Sequence, residues 1–420
     1  MRETPARRAI TTTAIVLFVG FAVRVVFILV TPPDVYSADM SAWQVVVAVL
    51  AKGYNPYQLT KYLSWPPFWM QILFFLGRLA TALNLSLFQV VRTFLLLCEA
   101  LTVFLTALLL TRELPSSSHR VLLTVGFSLN PVAILLICQH CNFDVVASIF
   151  VLLFILAQID FQANGKAVDW LASCLCLGFG ILTKTVPLVL APMLLVGLRK
   201  VSWRERLLGF CLLTGPAALA LSVLYALAPV AVESNVLAYR SFPGWFGITG
   251  LLDVANLQSL AAWYTRASSW LFALGLCLLS VLLVRRERLL PAQLVLLAAL
   301  LLMAVVIFGP GYGPQYAFWY LPLLVASWAF WHGRWRAALL VLAVVGAVTY
   351  VVEYGLFQSH GMLFLRMGLA GPWVERSKDF GAPAAQSLFR LPLFVAYLIV
   401  FVSGVGVLYQ SLRHQEDRMA

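Results

Sequence analysis

Residues 1–30 decide the fold class, because they read MRETPARRAITTTAIVLFVGFAVRVVFILV, a basic segment followed by an apolar run that ends at Val30. A membrane-spanning helix needs about 20 consecutive apolar residues, and this run supplies them. The segment resembles a signal peptide, but its apolar part is too long and it lacks a small-residue cleavage site. We therefore expect an uncleaved first membrane span.

The rest of the chain repeats this pattern. Of the 420 residues, 62% are hydrophobic and 11% are charged, and the mean hydropathy is +0.92, which is typical of a chain solvated by lipid. Roughly a dozen apolar runs are separated by short polar segments. Because an open sheet cannot satisfy its backbone in lipid, the sequence predicts an all-α polytopic membrane helix bundle of about 12 crossings.

The distribution of charge predicts topology rather than a polyanionic partner. The net charge is +12, but Lys and Arg occur in small clusters between apolar runs and not along one face, so we expect no nucleic-acid partner. Clusters such as 112–120 (RELPSSSHR) and 199–206 (RKVSWRER) lie in short loops. The positive-inside rule therefore places these loops on the cytoplasmic side.

If every basic loop is to lie on the cytoplasmic side, two apolar segments cannot each be a single straight crossing. We expect Phe68–Leu83 to form an amphipathic helix in the outer interface, since a crossing there would put 112–120 on the wrong side. We also expect 169–198 to cross twice, with a break near Lys184 and Pro187 that lines a polar cavity.

This topology gathers six polar segments on the outer side. Ionisable groups at membrane depth are costly and by default mark a functional site, so we expect these segments to converge on one wet cavity. Tyr and Trp side chains suit interface anchoring or sugar stacking there. The segments are DVYSADMSAW (34–43), GYNPYQLTKYLSWPP (53–67), CQHCNFD (138–144), ILTKTVP (181–187), AYRSFPGWFG (238–247) and GYGPQYAFWY (311–320).

The order of these motifs resembles that of the GT-C membrane glycosyltransferases, in particular GPI mannosyltransferase I and its bacterial polyprenol-phosphate-sugar-dependent relatives. The shared features are an acidic residue after the first span, NPY, N-x-D, K-x-x-P-L-x-x-x-P and a late PQYAFWYLPLL. The resemblance extends to about Pro322. It implies a GT-C-like fold in which 1–230 form the catalytic membrane module and 231–420 complete the donor and acceptor cavity of one continuous membrane domain.

The resemblance also implies a chemistry. It is the inverting transfer of a hexose, with mannose favoured, from a polyprenyl-phosphate donor to a glycan or glycolipid acceptor. The family position of the base falls on Asp39. The family has D-x-D there, whereas Asp39-Met40-Ser41 keeps one carboxylate. This departure weakens the case for a divalent metal, because hard cations need several oxygen ligands, and we assign no certain cofactor.

The departing phosphate needs positive charge, and Lys184 and Arg240 are our candidates, since ammonium and guanidinium groups bind phosphate oxygens. Structural alternatives remain for several of these residues. Asp39 could be a solvated loop residue, Lys184 could snorkel to lipid phosphates, and Asp144 with Asn142 could cap the next helix. The other candidate cavity residues are Tyr57, His140, Asp144, Gln315 and Tyr316.

Two further interpretations concern unusual residues. C-x-x-C with His140 could bind zinc or act in redox chemistry, but no second such pair lies on the same face, so we favour His140 as a contact for the acceptor. Arg24 lies inside the first span and could pair with Asp34 or Asp144, or snorkel to the interface.

An alternative function is a transporter or lipid-linked-sugar flippase, which would also be polytopic. We find no internal repeat of the kind many transporters show, and the polar residues gather on one side and not at the midplane. An inactive scaffold is a third reading, given the single carboxylate at Asp39. The excess of Arg over Lys and the Ala, Leu and Val content indicate a bacterial plasma membrane, with the site extracytoplasmic.

Overall fold

The computed structural model describes residues 4–30, 38–59, 63–112, 114, 117–239, 243–311, 313–331, 333–353 and 383–417, and every regular element in these ranges is helical. The α-helices are α1 (Pro5–Val30), α2 (Ala38–Ala51), α3 (Pro56–Leu59), α4 (Pro67–Leu83), α5 (Leu87–Thr111), α6 (Ser117–Ser128), α7 (Pro131–Leu135), α8 (Asp144–Asn164), α9 (Ala167–Thr183), α10 (Trp203–Leu227), α11 (Pro229–Val232), α12 (Gly247–Val254), α13 (Gln258–Leu283), α14 (Pro291–Phe308), α15 (Ala317–Phe330), α16 (Arg334–Val352) and α17 (Pro383–Asp417). Tighter or wider helical turns are Leu136–His140, Val186–Leu195, Leu198–Lys200, Glu233–Leu237 and Pro314–Tyr316.

The predicted all-α membrane bundle is confirmed. Among the described residues, eight helices are long and apolar enough to cross a membrane, or nine if α6 and the bent segment Pro131–His140 form one span. The predicted count of about 12 also includes shorter apolar helices, namely α9, Val186–Leu195 and α15, which length alone does not assign to the membrane. That count stays a prediction.

Local sequence sets where several helices begin. The hydroxyl of Ser86 accepts from the backbone N–H of Gln89, whose side chain accepts from the backbone N–H of Ser86, so a capping box begins α5. Ser202 and Glu205 do the same for α10. At α4, Pro67 occupies the first helical turn, where a missing N–H costs nothing.

Helix α8 is the centre of the bundle. It packs against α5, α9, α14 and α15, and it is the most buried of the eight candidate spans. Helices α10 and α13 are mostly exposed apolar surface, as expected of lipid-facing helices. One core cluster runs from Leu105 to Val400 and so includes residues from both predicted parts of the chain.

The two ends of α8 carry different chemistry. Asp144 begins the helix, whereas Asp160, near the other end, accepts hydrogen bonds from Arg112 of the RELPSSSHR loop. At 1.5 Å per residue, these two carboxylates lie about 24 Å apart along the axis. Helix α9 returns beside α8, so that Lys184, at its end, reaches back to Asp144.

Helix α4 forms where the interfacial helix is predicted. It packs against α2, α5 and α9 and buries Trp69 and Leu73 against the second core cluster. Its depth relative to a bilayer stays a prediction.

Candidate active site

A sharp turn between α7 and α8 builds the site. Cys141 adopts the left-handed conformation, with φ 54°, and the N–H of Asn142 donates to the carbonyl of Leu136 over 3.2 Å. The side-chain oxygen of Asn142 accepts from the N–H of Asp144 over 2.9 Å, which satisfies one free donor at the start of α8. This leaves the amide nitrogen of Asn142 directed at Asp39 in the first turn of α2.

Asp39 is the accessible carboxylate of the site. Its Oδ2 accepts from Asn142 Nδ2 over 2.7 Å and lies 3.0 Å from His140 Nε2. The Asp39 side chain is 30% exposed, against 7% for His140. Burial raises the pKa of the Asp39 carboxyl, but the hydrogen bonds with His140 and Asn142 and the charges of His140 and Lys184 outweigh it and hold that pKa below its ordinary value. Asp39 is therefore ionised at neutral pH.

Asp144 and Lys184 form a second, deeper pair. Lys184 Nζ donates to Asp144 Oδ1 over 2.5 Å, and the Asp144 side chain is 0% exposed against 13% for Lys184. Asp144 Oδ2 has no partner within the described structure. Three rings surround the ammonium, because Nζ lies 5.3 Å from the ring centre of Phe143, 5.1 Å from Tyr316 and 4.8 Å from Trp319. Aromatic faces attract a cation, so the three rings help to hold the Lys184 side chain in place.

The structure thus brings Asp39, His140, Asp144, Lys184 and Tyr316 together, although the sequence places them in four separate segments. The charge of Lys184 acts on Asp39, which connects the accessible carboxylate to the deeper pair.

Of the other three candidates, Tyr57 and Gln315 form no hydrogen bond or ion pair with this group in the described part of the chain, and Arg240 lies outside the described residues. Tyr57 is buried, and its hydroxyl donates to the carbonyl of Trp65 over 2.5 Å, which ties the ring to its own loop. Gln315 is half-buried, and its amide folds back over Gly313, where an added Cβ would lie 2.7 Å from Nε2.

Arg24 pairs with a residue that the sequence did not suggest, while Asp34, one of the partners considered, lies outside the described residues and Asp144 pairs with Lys184. The Arg24 guanidinium binds both carboxylate oxygens of Glu99, in α5, and donates to the carbonyls of Gly20 and Ser128. Sequence reasoning missed Glu99. The signal was available, because Glu99 is the sole acidic residue in the apolar run of α5, and an isolated charge at membrane depth calls for a partner.

Sequence reasoning also missed an aromatic cluster that supports the turn. The ring of Trp69 stacks on Phe143 at 4.9 Å between centres, Trp43 lies 5.0 Å from Trp69, and Trp65 lies 5.5 Å from Phe143. Phe143 stands between Asn142 and Asp144. Trp43, Trp65 and Trp69 therefore pack against the turn that carries Asn142, which binds Asp39, and Asp144, which binds Lys184.

The donor set does not favour a metal. Among the described residues, no three His, Cys, Asp or Glu side chains converge closely enough to hold an ion. The D-x-D position supplies one carboxylate, Asp39, because Ser41 stands where the second would be, and Lys184 occupies Oδ1 of the other nearby carboxylate, Asp144.

Comparisons with known proteins give a fold but no family. No protein-family model matches the chain, and no curated protein matches it. Among solved structures, the chain is similar to ArnT from Cupriavidus metallidurans bound to undecaprenyl phosphate, with 14% identity, a TM-score of 0.53, and coverage of 92% of this chain and 76% of that one. The likeness shows that the two chains share an overall fold.

Proposed function

We propose that this protein is a membrane glycosyltransferase that moves a sugar from a polyprenyl-phosphate donor to an acceptor hydroxyl. Two lines of support meet. The solved structure of similar fold was determined with a polyprenyl phosphate bound. The site combines an accessible, ionised carboxylate with a fixed cation, which is what the reaction needs.

The exposure of Asp39 is the observation that carries the proposal. An acceptor hydroxyl can reach Asp39, whereas Asp144 is sealed beneath Lys184. In the proposed step the acceptor oxygen forms a bond to the anomeric carbon as the bond from that carbon to the phosphate oxygen breaks, with inversion. The acceptor proton passes to Asp39, and the bonding electrons leave with the phosphate.

Lys184 has the matching role for the leaving group. A phosphate is already a good leaving group, so charge stabilisation matters more than proton donation. Asp144 and the three rings hold Lys184 in one position, and its side chain keeps 13% exposure, so an arriving phosphate oxygen meets a pre-positioned donor. Arg240 is proposed as a second phosphate contact, and His140, Gln315 and Tyr316 as contacts for the sugar or acceptor.

The finer assignments rest on the sequence resemblance. They are mannose as the sugar, a glycan or glycolipid as the acceptor, and a site on the outer face of a bacterial plasma membrane. The structure is compatible with that side, because Asp39 and Lys184 lie at the opposite end of α8 from Arg112, whose loop the positive-inside rule assigns to the cytoplasm.

The test is a transfer assay on purified protein. Radiolabelled polyprenyl-phosphate mannose is supplied with short mannosides or a membrane lipid extract, and release of free polyprenyl phosphate is measured with sugar incorporation. We expect Asp39→Asn to lower the rate by about 10²–10⁴-fold, the usual range for loss of a general base. Asp160→Asn is the matched control, since it makes the same change at the other end of α8.

Two outcomes would count against the proposal. Transfer that survives in Asp39→Asn would remove Asp39 as the base. No transfer by wild type with any acceptor, together with movement of the intact donor between leaflets of proteoliposomes, would favour a flippase.

A further inference from the structure

A second concave feature lies at the end of the bundle opposite Asp39. It is a cavity of about 1590 Å³ between the α13–α14 loop and the last turns of α17. Five cationic side chains and two carboxylates line it, which leaves three unbalanced positive charges. The cations are Lys200, Arg285, Arg286, Arg288 and Arg413.

Most of these cations have no partner. Arg286 Nη1 pairs with Glu416 over 2.5 Å across the cavity edge. The side chains of Lys200, Arg285, Arg288 and Arg413 form no hydrogen bond or ion pair with any residue in the described part of the chain. The positive-inside rule accounts for cations in such loops, but it does not require four of them to surround one cavity.

The remaining wall is apolar and continuous with the membrane-facing surface. Leu279, Leu282 and Leu283 come from the last turns of α13, and Leu408 comes from α17. Leu282 is 62% exposed, and α13 as a whole is mostly exposed apolar surface. An acyl chain lying along α13 could therefore place its headgroup among the cations without leaving lipid.

We propose that this cavity binds the anionic headgroup of a membrane phospholipid. Arginine guanidinium groups grip phosphate oxygens through paired N–H donors, which suits Arg285, Arg288 and Arg413. Basic pockets between transmembrane helices on the cytoplasmic side are a common form of lipid recognition. The backbone N–H of Leu289, in the cavity wall, donates to Gln162, near the end of α8 opposite Asp144. The site is therefore separate from Asp39, and the proposal does not depend on the proposed transferase activity.

The experiment uses the full chain purified in a nonionic detergent. Phosphatidylglycerol, phosphatidylcholine and inorganic phosphate are titrated separately, and the melting temperature is followed. We expect phosphatidylglycerol to raise it and phosphatidylcholine to leave it unchanged. The double variant Arg285→Gln/Arg288→Gln should weaken the apparent affinity for phosphatidylglycerol at least fivefold.

A matched control and a second variant keep the test decisive. Lys166→Gln/Arg204→Gln removes the same charge from exposed positions at the same end of the bundle, outside the cavity lining. Arg413→Gln repeats the main test on α17. An equal loss in the control would show non-specific attraction and overturn the proposal. If inorganic phosphate, or an acidic peptide such as polyglutamate, raised the melting temperature as much as phosphatidylglycerol does, the proposal that a lipid occupies the cavity would be overturned.

Discussion

Replacing Lys184 by Met should destabilise the protein strongly. Asp144 is 0% exposed and Lys184 is its hydrogen-bond partner at Oδ1, while Oδ2 has none in the described structure. The substitution keeps the length of the side chain but leaves a buried carboxylate with no compensating charge. Removing one partner of a buried ion pair costs about 3–5 kcal/mol, and we expect a loss in this range.

Asp144→Asn should cost less, and the double variant least. Without the carboxylate, Lys184 retains 13% exposure and three ring contacts, and desolvated cation–π contacts contribute about 2 kcal/mol. We expect a loss of about 1–3 kcal/mol for Asp144→Asn, since part of the charge is still compensated. Lys184→Met/Asp144→Asn buries no charge and should approach wild-type stability, with a coupling energy of at least about 2 kcal/mol.

The assay is chemical or thermal unfolding in detergent for all four proteins, with transfer measured in parallel. Lys166→Met, at an exposed position, is the control for losing a lysine. The double variant should regain stability but not normal transfer, because it lacks the Lys184 ammonium that is proposed to contact the departing phosphate. Additive losses, with a coupling energy below about 0.5 kcal/mol, would refute the reasoning that the two groups stabilise each other.

Two further predictions concern other charged contacts. The pKa of Asp39 lies below its ordinary value of 3.8. The ionised carboxylate therefore stabilises the fold fully above pH 3.8, and this stabilisation is lost as the pH falls through the folded-state pKa. The rate of transfer should accordingly show no titration of Asp39 between about pH 7 and pH 5. Asn142→Leu removes one donor and should move the acidic limb of the rate profile upward, and an unmoved limb would contradict this. Glu99→Gln leaves the buried Arg24 without its carboxylate partner and should lower the free energy of unfolding by about 3–5 kcal/mol. The double variant Arg24→Met/Glu99→Leu should recover this stability. A Glu99→Gln protein that melts like wild type would show that Glu99 is not needed.

The sequence was sufficient for the fold class and for the segments of the site. Apolar runs of span length predict helices without knowledge of packing, because the bilayer enforces internal hydrogen bonding. Isolated charges such as Lys184 could be found for the same reason, since burying them is costly unless something compensates. These arguments need only the local sequence and the properties of the bilayer, so they do not depend on knowing the tertiary structure.

The local sequence could not show which buried charged residues pair with each other. Arg24 and Glu99 are 75 residues apart in the chain, and nothing in either segment selects the other until α1 and α5 pack. Tyr57 shows a second limit, because a Tyr- and Pro-rich loop has the same composition whether its rings face a cavity or brace the backbone. The hydrogen bond from the Tyr57 hydroxyl to the carbonyl of Trp65 is a contact that the composition does not reveal.

The helix-capping role predicted for Asn142 leaves part of its side chain free for a second contact. A carboxamide has an acceptor and two donors, so its oxygen caps α8 while its nitrogen binds Asp39. A structural role for a residue at a helix start is thus no argument against a functional one when the side chain has a second polar atom.

Helix α8 connects the site around Asp144 to the basic loop at its other end. Asp144 begins α8, whose other end is tied to the basic loops through Asp160 and Arg112. A rigid, buried helix keeps the two ends at a fixed separation of about 24 Å, well beyond the range at which mutational effects usually couple. Changes at Arg285 and Arg288 should therefore leave the intrinsic chemistry at Asp39 intact, and loss of lipid binding in those variants with normal transfer would show that the two ends act separately.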